Sequence, residues 1–140
     1  MTNLHLALLA FWSSFSWDGQ PIPAFIEGRV PENQPFPYIT FEVIKGGFFS
    51  TNFPTAFIWC KQPMDGSINV QAQRANVMDQ IAAAIPESGR IIRFDGGMVR
   101  LDRNEGSFLS YYDPPDEEED PTGEPVIGGR VSVAATFYIY

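Results

Sequence analysis

The stretch PFPYITFEVI, residues 35–44, directs the chain into a β-strand, with a proline on each side of Phe36. Pro37 fixes its own φ and pushes Phe36 toward extended backbone. The residues that follow alternate between two faces, with Tyr38, Thr40, Glu42 and Ile44 on one and Ile39, Phe41, Val43 and Lys45 on the other. Neither face is clearly polar, and a sheet is predicted to begin here.

Further strands are predicted around this one. TAFIWCKQ, residues 55–62, should pair with it in antiparallel fashion, since the intervening loop suits a hairpin better than a crossover. RIIRFDGGMVRLD, residues 90–102, is typical of two strands around an Asp-Gly-Gly turn. Three more strands are predicted: an edge strand in 22–30, where Pro23 removes a ladder donor, a strand in 106–113, and a closing, paired strand in 129–140.

Two segments have helical periodicity. In residues 3–15, the predicted apolar face is Leu4, Leu8, Phe11, Trp12 and Phe15, with Thr2 or Asn3 as the cap. The second helix, within residues 68–87, is predicted to be capped by Ser67 and ended by Pro86. Its predicted apolar face is Ala75, Met78, Ile81, Ala82 and Ile85, and its polar surface is Gln71, Gln73, Arg74, Asn76, Asp79 and Gln80.

The order of elements is one helix, three strands, one helix and four strands. Strands that group together, with a helix between the groups, favour an α+β fold over a parallel doubly wound sheet. We therefore predict one domain over residues 1–140, with a mainly antiparallel sheet and two helices packed on it. A mobile acidic loop is predicted within it at residues 113–128.

The acidity of the chain is concentrated in that loop. The formal net charge is −8, and residues 113–124 hold seven of the 17 acids and none of the nine Lys and Arg residues. The remaining ten acids nearly balance the nine bases. This distribution argues against a general nucleic-acid binder, which would show clustered Lys and Arg.

Residues that carry chemistry are sparse. Cys60 is the only cysteine and His5 the only histidine, so no internal disulfide is possible and a Cys–His dyad is not favoured. Cys60 is predicted to be a buried, inert thiol. No nucleophile elbow, phosphate loop, dinucleotide fingerprint or zinc motif is present, and the acidic loop lacks the EF-hand spacing. No cofactor or metal is predicted, and the apolar residues near the N-terminus are too few to span a bilayer.

Four arginines lie in and after the predicted hairpin, at Arg90, Arg93, Arg100 and Arg103. Arg93 and Arg100 are expected to share a face. A basic patch for phosphate is one interpretation. The preferred interpretation is solvated strand positions, or pairing with Asp95, Asp102 or the acidic loop of a neighbouring subunit.

The aromatic content, 14% of residues, points instead to an assembly protein. Phe48, Phe49 and Phe53 cluster in one glycine-led loop, and Tyr111 and Tyr112 precede the acidic loop. Aromatic residues are enriched at protein interfaces. The three phenylalanines are therefore the candidate subunit or tail interface, although packing over the sheet would also explain them.

The chain resembles the tail terminator, or tail completion, proteins of long-tailed bacteriophages. The resemblance covers nearly the whole chain and rests on the order of elements and on PFPYITF, residues 35–41. It includes the initial helix, the AFIWCK strand, the INVQAQRANVMDQIAAAI helix and the closing RVSVAATFYIY strand. It implies a small α+β subunit with no catalytic residues.

The resemblance also implies a place and partners. Such subunits form a ring, typically sixfold, at the head-proximal end of the tail tube, where they stop tube polymerisation and offer the head-docking surface. The implied partners are copies of itself, the tail tube protein and the head–tail connector or stopper protein, and DNA passes through the lumen without specific binding. The implied location is the virion, of a phage or prophage, assembled in the host cytoplasm.

The acidic loop departs from the family's compact pattern. Its candidate lumen-facing or docking residues are Asp113, Asp116, Glu117, Glu118, Glu119 and Asp120. Facing the lumen they would repel DNA phosphates, and facing outward they would meet a basic patch on the neck or head. Three alternatives stay open: a head–tail connector or stopper, a monomeric binding module that uses the aromatic loop, and an enzyme with carboxylates such as Glu42 and Asp95 brought together.

Overall fold

The computed structural model of the protein describes residues 3–44, 51–112 and 124–139. Two helices are described in these ranges, α1 (Asn3–Trp12) and α2 (Val70–Ala84). The strands are β1 (Ser16–Trp17), β2 (Gln20–Pro21), β3 (Ala24–Ile26), β4 (Tyr38–Phe41), β5 (Thr51–Asn52), β6 (Thr55–Lys61), β7 (Arg90–Phe94), β8 (Gly97–Arg103), β9 (Leu109–Tyr112) and β10 (Val126–Ile139).

The main sheet has eight strands. Its principal order is β3-β4-β6-β10-β8-β7, and β5 and β9 also pair with β10. Every pair in it is antiparallel except β3 with β4. The predicted α+β class with a mainly antiparallel sheet is confirmed, as are the pairing of β4 with β6 and the β7–β8 hairpin around Asp95 and Gly96.

The closing strand β10 is the centre of this sheet. On one side it pairs first with β6, through Val126 to Ser132, and then with β5. On its other side it pairs with β9 and then, from Val133 onward, with β8. The strand that was predicted only to be paired therefore organises both halves of the sheet.

Both helices pack on the same face of the sheet. Along β10, odd-numbered residues such as Val131, Val133 and Ala135 point to this face and are buried. Trp12 of α1 stacks on Phe41 at 6.4 Å between ring centroids. Met78 of α2 lies over Gly129. We call the opposite side, which carries the even-numbered residues of β10, the open face.

The second helix differs from its prediction in start and orientation. Asn69, and not Ser67, caps it by accepting a hydrogen bond from the Ala72 amide at 3.1 Å. Ser67 instead belongs to a turn in which its amide donates to Asp65 at 2.9 Å. The end is as predicted, with Ala84 as the last helical residue ahead of Pro86.

The buried face of α2 is rotated from the predicted one. It consists of Val70, Gln73, Arg74, Val77, Met78 and Ile81. The predictions that Gln73 and Arg74 are surface residues are therefore wrong. The reason is tertiary, because α2 crosses both β6 and β10 and these strands cover a polar part of its surface. Gln80, partly buried, binds the backbone of Ser16 through both its amide nitrogen (2.7 Å) and its oxygen (3.2 Å).

The strands differ from the predictions in extent, in number and in orientation. The first long strand ends at Phe41, short of the predicted continuation through Lys45. The β1–β2 hairpin was not predicted, since the turn at Asp18 and Gly19 was interpreted only as the end of the first helix. The edge strand β3 exists, but runs parallel to β4. The strand β10 begins at Val126, so residues 126–128 are strand and do not belong to the predicted mobile loop.

Candidate functional site

Only part of the predicted interface lies in the described residues. Phe53 lies between β5 and β6 with 64% of its surface exposed. Phe48 and Phe49 lie outside the described residues, and so do the acidic candidates, Asp113, Asp116, Glu117, Glu118, Glu119 and Asp120. Glu124, the last acid of that segment, is described and forms an ion pair with Lys61 at 3.5 Å.

The open face carries an aromatic cluster that the sequence analysis did not identify. We call it the aromatic surface, and its members are Phe25, Phe36, Tyr38, Phe57, Trp59 and Tyr112. All six are partly exposed. Strand register explains why they meet, because Trp59 lies opposite Tyr38 on one side and opposite Gly128 on the other, and Gly128 in turn lies opposite Tyr112. The glycine leaves space over which Trp59 and Tyr112 approach each other.

The rings of the aromatic surface pack on one another. Phe57 stacks on Trp59 with 5.5 Å between centroids, and Tyr112 meets both edge-on at 5.4 and 5.7 Å. Tyr38 contacts Phe36 at 5.1 Å. The indole nitrogen of Trp59 donates to the Thr40 hydroxyl at 2.9 Å, so its polar atom is satisfied within the chain. What the surface presents outward is therefore mainly aromatic carbon.

A signal for this surface was present in the sequence. In β6, the buried residues Ala56, Ile58 and Cys60 point to the helices. Phe57 and Trp59, which alternate with them on the other face, are large and apolar as well. A strand that is apolar on both faces indicates cover on both sides. Residues 38–45 also have mixed faces, and the same pattern in β6 was not used in the prediction of its exposed face.

Most of the predicted arginines are engaged within the chain. Arg100 bonds Asp102 at 3.0 Å, as one interpretation expected, and also the carbonyl of Ser88. Arg103 donates to the carbonyls of Ile85 (2.8 Å) and Ala82 (2.9 Å), at the end of α2. Arg90 lies 5.8 Å from the ring of Phe11. Register places Arg93 and Arg100 on the same face, as predicted.

A fifth arginine joins the second helix to the sheet. Arg74 is buried, and its guanidinium donates to the carbonyl of Gly128 at 3.1 Å and to Gln71 at 2.6 Å. The ring of Tyr111 lies 3.9 Å from the guanidinium carbon. Arg74 thus links α2 to β9 and β10.

Cys60 has the environment predicted for an inert thiol. It is fully buried in β6, and burial raises the pKa of its thiol to about 12. A thiolate nucleophile needs the opposite shift. Within residues 3–44, 51–112 and 124–139, no three His, Cys, Asp or Glu side chains come together in a way that could hold a metal ion.

A polar groove lies on the open face beside the aromatic surface. We call it the Arg130 groove, and its lining residues are Phe53, Thr55, Asn104, Ser107, Ser110, Arg130 and Ser132. Its volume is about 230 Å³. Register brings the lining together, since Arg130 lies opposite Ser110 and Ser132 lies opposite Thr55. This groove was not predicted either, because its polar residues come from four separate segments.

Comparison with known proteins gives no relative. No protein-family model, no curated protein and no solved structure matches this chain. Neither helix of the described ranges has the length and apolar character needed to cross a membrane.

Proposed function

We propose that this chain is a structural virion protein, a tail terminator that forms a ring at the head-proximal end of the tail tube. In that position it would stop tube polymerisation and provide the surface on which the head docks. A head–tail connector or stopper in the same neck is the alternative. Its subunits would also associate, but with different partners.

The observation that carries the proposal is the aromatic surface. Six aromatic rings lie partly exposed on one sheet face, and both helices pack on the other. Exposed apolar patches on soluble domains mark interaction sites, and Tyr and Trp are among the residues that most often carry binding energy at protein interfaces. The exposed Phe53 extends the apolar area toward the Arg130 groove.

The fold class and element order support the same proposal. The chain begins with a helix, passes into a strand at Tyr38, follows the β6 strand with its longest helix, and closes on β10. The resemblance implies this order. It does not by itself separate a terminator from another neck protein.

A ring also requires two different contact surfaces. A head-to-tail interface joins unlike patches of neighbouring copies and closes when its rotation permits. The aromatic surface lies over β3, β4, β6 and β9. At the other edge of the sheet, Ile91 of β7 is 46% exposed and Leu6 of α1 is 50% exposed. These two regions are the patches that we expect to meet.

The first test is native mass across a concentration series, with negative-stain images of any large species. Closed rings of roughly six subunits are expected, either from the protein alone or on addition of purified tail tubes. A protein that stays monomeric and does not bind the tubes contradicts the terminator proposal. Binding to the connector in preference to the tube favours the alternative.

A further inference from the structure

The Arg130 groove collects side chains that donate hydrogen bonds. Asn104 and Ser107 come from the β8–β9 connection, Ser110 from β9, and Arg130 and Ser132 from β10. Among the described residues, no side chain of these five bonds another residue of the chain. The donors therefore converge on a space of about 230 Å³ that another molecule can enter.

Arg130 differs from the arginines that serve the fold. Arg74, Arg100 and Arg103 each donate to specific oxygens of the chain. Arg130 is exposed and has no ion pair with any carboxylate in residues 3–44, 51–112 and 124–139. Its guanidinium is fixed in charge and offers a planar fork of donors.

The backbone around the groove is held in place. The amide of Ser107 donates to the carbonyl of Asn104 at 3.2 Å, which closes the turn that contains Gly106. The amide of Asn104 donates to the carbonyl of Ser132 at 3.2 Å, and the amide of Ser132 donates to the carbonyl of Phe108 at 2.8 Å. The turn is thus tied to the central strand, and the backbone that carries the donors does not need to be ordered by a ligand.

We propose that the Arg130 groove binds a phosphate group. A guanidinium fork with hydroxyl and amide donors arranged around it suits a tetrahedral anion with several acceptor oxygens. The volume exceeds what a phosphate alone needs, so the phosphate is expected to be part of a larger molecule. Two sources share this chemistry, a free nucleotide and the backbone of DNA. The inference does not depend on the ring proposal.

Two carboxylates near the groove oppose an anion. Glu42 accepts a hydrogen bond from the hydroxyl of Thr55, so this hydroxyl is not available to a ligand. Glu105 is exposed in the turn between Asn104 and Gly106. The negative charge of Glu105 would repel a phosphate, and Glu105→Gln is therefore expected to strengthen phosphate binding by roughly twofold at low salt.

The test is a titration of the isotopically labelled protein with sodium phosphate, followed by amide NMR at constant ionic strength. Saturable shifts are expected at residues 104–110 and 130–132. Arg130→Gln should weaken binding about tenfold or more, since it removes a charge-assisted contact. Arg29→Gln, at an exposed arginine outside the groove, is the matched control and should leave binding unchanged.

Three results would overturn the proposal: shifts that do not saturate, equal shifts with sodium chloride, or unchanged binding in Arg130→Gln. The amide spectrum of each variant shows whether it is folded, and Ser110→Ala provides a second, milder variant. A weakening in Ser110→Ala supports the site, and unchanged binding in Arg130→Gln contradicts it whatever Ser110→Ala shows.

A second set of titrations identifies the source of the phosphate. Deoxythymidine monophosphate, deoxythymidine and a short DNA duplex are compared in the same assay. Tighter binding of the monophosphate indicates a free nucleotide, and tighter binding of the duplex indicates the DNA backbone. If deoxythymidine binds as well as its monophosphate, the phosphate is not recognised and the proposal is wrong.

Discussion

Arg103 illustrates how one side chain secures a helix to which it does not belong. The last turn of α2 has no basic residue of its own, and its final carbonyls need donors. The guanidinium of Arg103, from β8, donates to Ile85 and Ala82, and its charge lies at the negative end of the helix dipole. It also lies 4.7 Å from the ring of Phe108.

Replacing Arg103 with Met should lower the free energy of unfolding by about 1–3 kcal/mol, because it removes charge-assisted hydrogen bonds and leaves two carbonyls unpaired. Urea denaturation measures the change. Arg100→Met is the control in the same strand, and the loss of its exposed contacts with Asp102 and with the carbonyl of Ser88 should cost less than about 1 kcal/mol. An equal loss in both variants would argue against the capping role.

Burial of the Cys60 thiol predicts a pH dependence of stability. In the unfolded chain the thiol has its ordinary pKa of 9.0, whereas burial in the folded chain raises the pKa to about 12. From pH 9 upward the unfolded state binds fewer protons, so the free energy of unfolding should fall, by up to about 1.4 kcal/mol per pH unit. Below pH 9 this contribution is fully present.

The comparison that isolates this effect is wild type against Cys60→Ala between pH 8 and pH 10.5. The difference in their free energies of unfolding should be constant below pH 9 and should shrink above it. Burial also raises the pKa of Tyr38, but Tyr38 is present in both proteins, so its contribution to the pH dependence cancels in the difference. A difference that stays constant to pH 10.5 would show that the thiol is not buried in solution.

At the scale of elements, two adjacent glycines determine how closely β10 can be approached. A Cβ on Gly128 would lie 2.6 Å from the carbonyl oxygen of Ile58, in the backbone of the neighbouring strand. A Cβ on Gly129 would lie 2.7 Å from the sulfur of Met78, in a flexible side chain of α2. The first neighbour is fixed by the sheet ladder, and the second can move.

Gly128→Ala should therefore destabilise the protein more than Gly129→Ala. We expect about 1–3 kcal/mol for Gly128→Ala, as for other overpacked sites, and a smaller loss for Gly129→Ala. The free energies of unfolding from urea titrations give the comparison. A larger loss of stability for Gly129→Ala than for Gly128→Ala would mean that the Met78 side chain of α2 cannot move away from the sheet.

At the scale of the whole molecule, both faces of the sheet carry apolar side chains, although the open face also holds the polar Arg130 groove. One face is covered by the two helices, and the other carries the aromatic surface and the exposed Phe53. An exposed apolar patch on a sheet that already has one covered face is typical of an interaction site. This property belongs to the assembled sheet, since its six rings come from four strands and one loop.

Phe53→Ser is expected to weaken association without unfolding the monomer. Loss of an interface aromatic should reduce ring or tube affinity by at least about fivefold. The free energy of unfolding of the monomer should change by less than about 0.5 kcal/mol, because the side chain is mostly exposed. Native mass and tube binding are measured beside urea denaturation.

The matched control for Phe53→Ser is Met64→Ser, at an apolar residue that is 78% exposed in a turn outside the aromatic surface. It should leave assembly unchanged. Equal effects of both substitutions would indicate nonspecific hydrophobic association. Phe48→Ser and Phe49→Ser extend the assay to the other two residues of the interface predicted from the sequence.

The sequence by itself determined the elements whose signals are local. Alternation in 55–61, the Asp-Gly turn after Phe94 and the proline after Ile85 each act over a few residues, and β6, the β7–β8 hairpin and the end of α2 lie where these signals predicted. The α+β class follows from the order of these elements. The signal that predicted the burial of Cys60 was also local, since Cys60 lies among alternating apolar residues of β6.

Only the tertiary structure decided which face of each element is covered. Arg74 looks like a surface residue in its own helix, and its burial depends on β9 and β10, more than 30 residues later. The aromatic surface and the Arg130 groove depend likewise on strand register between distant segments. Local periodicity places side chains on a face, but long-range pairing determines what that face meets.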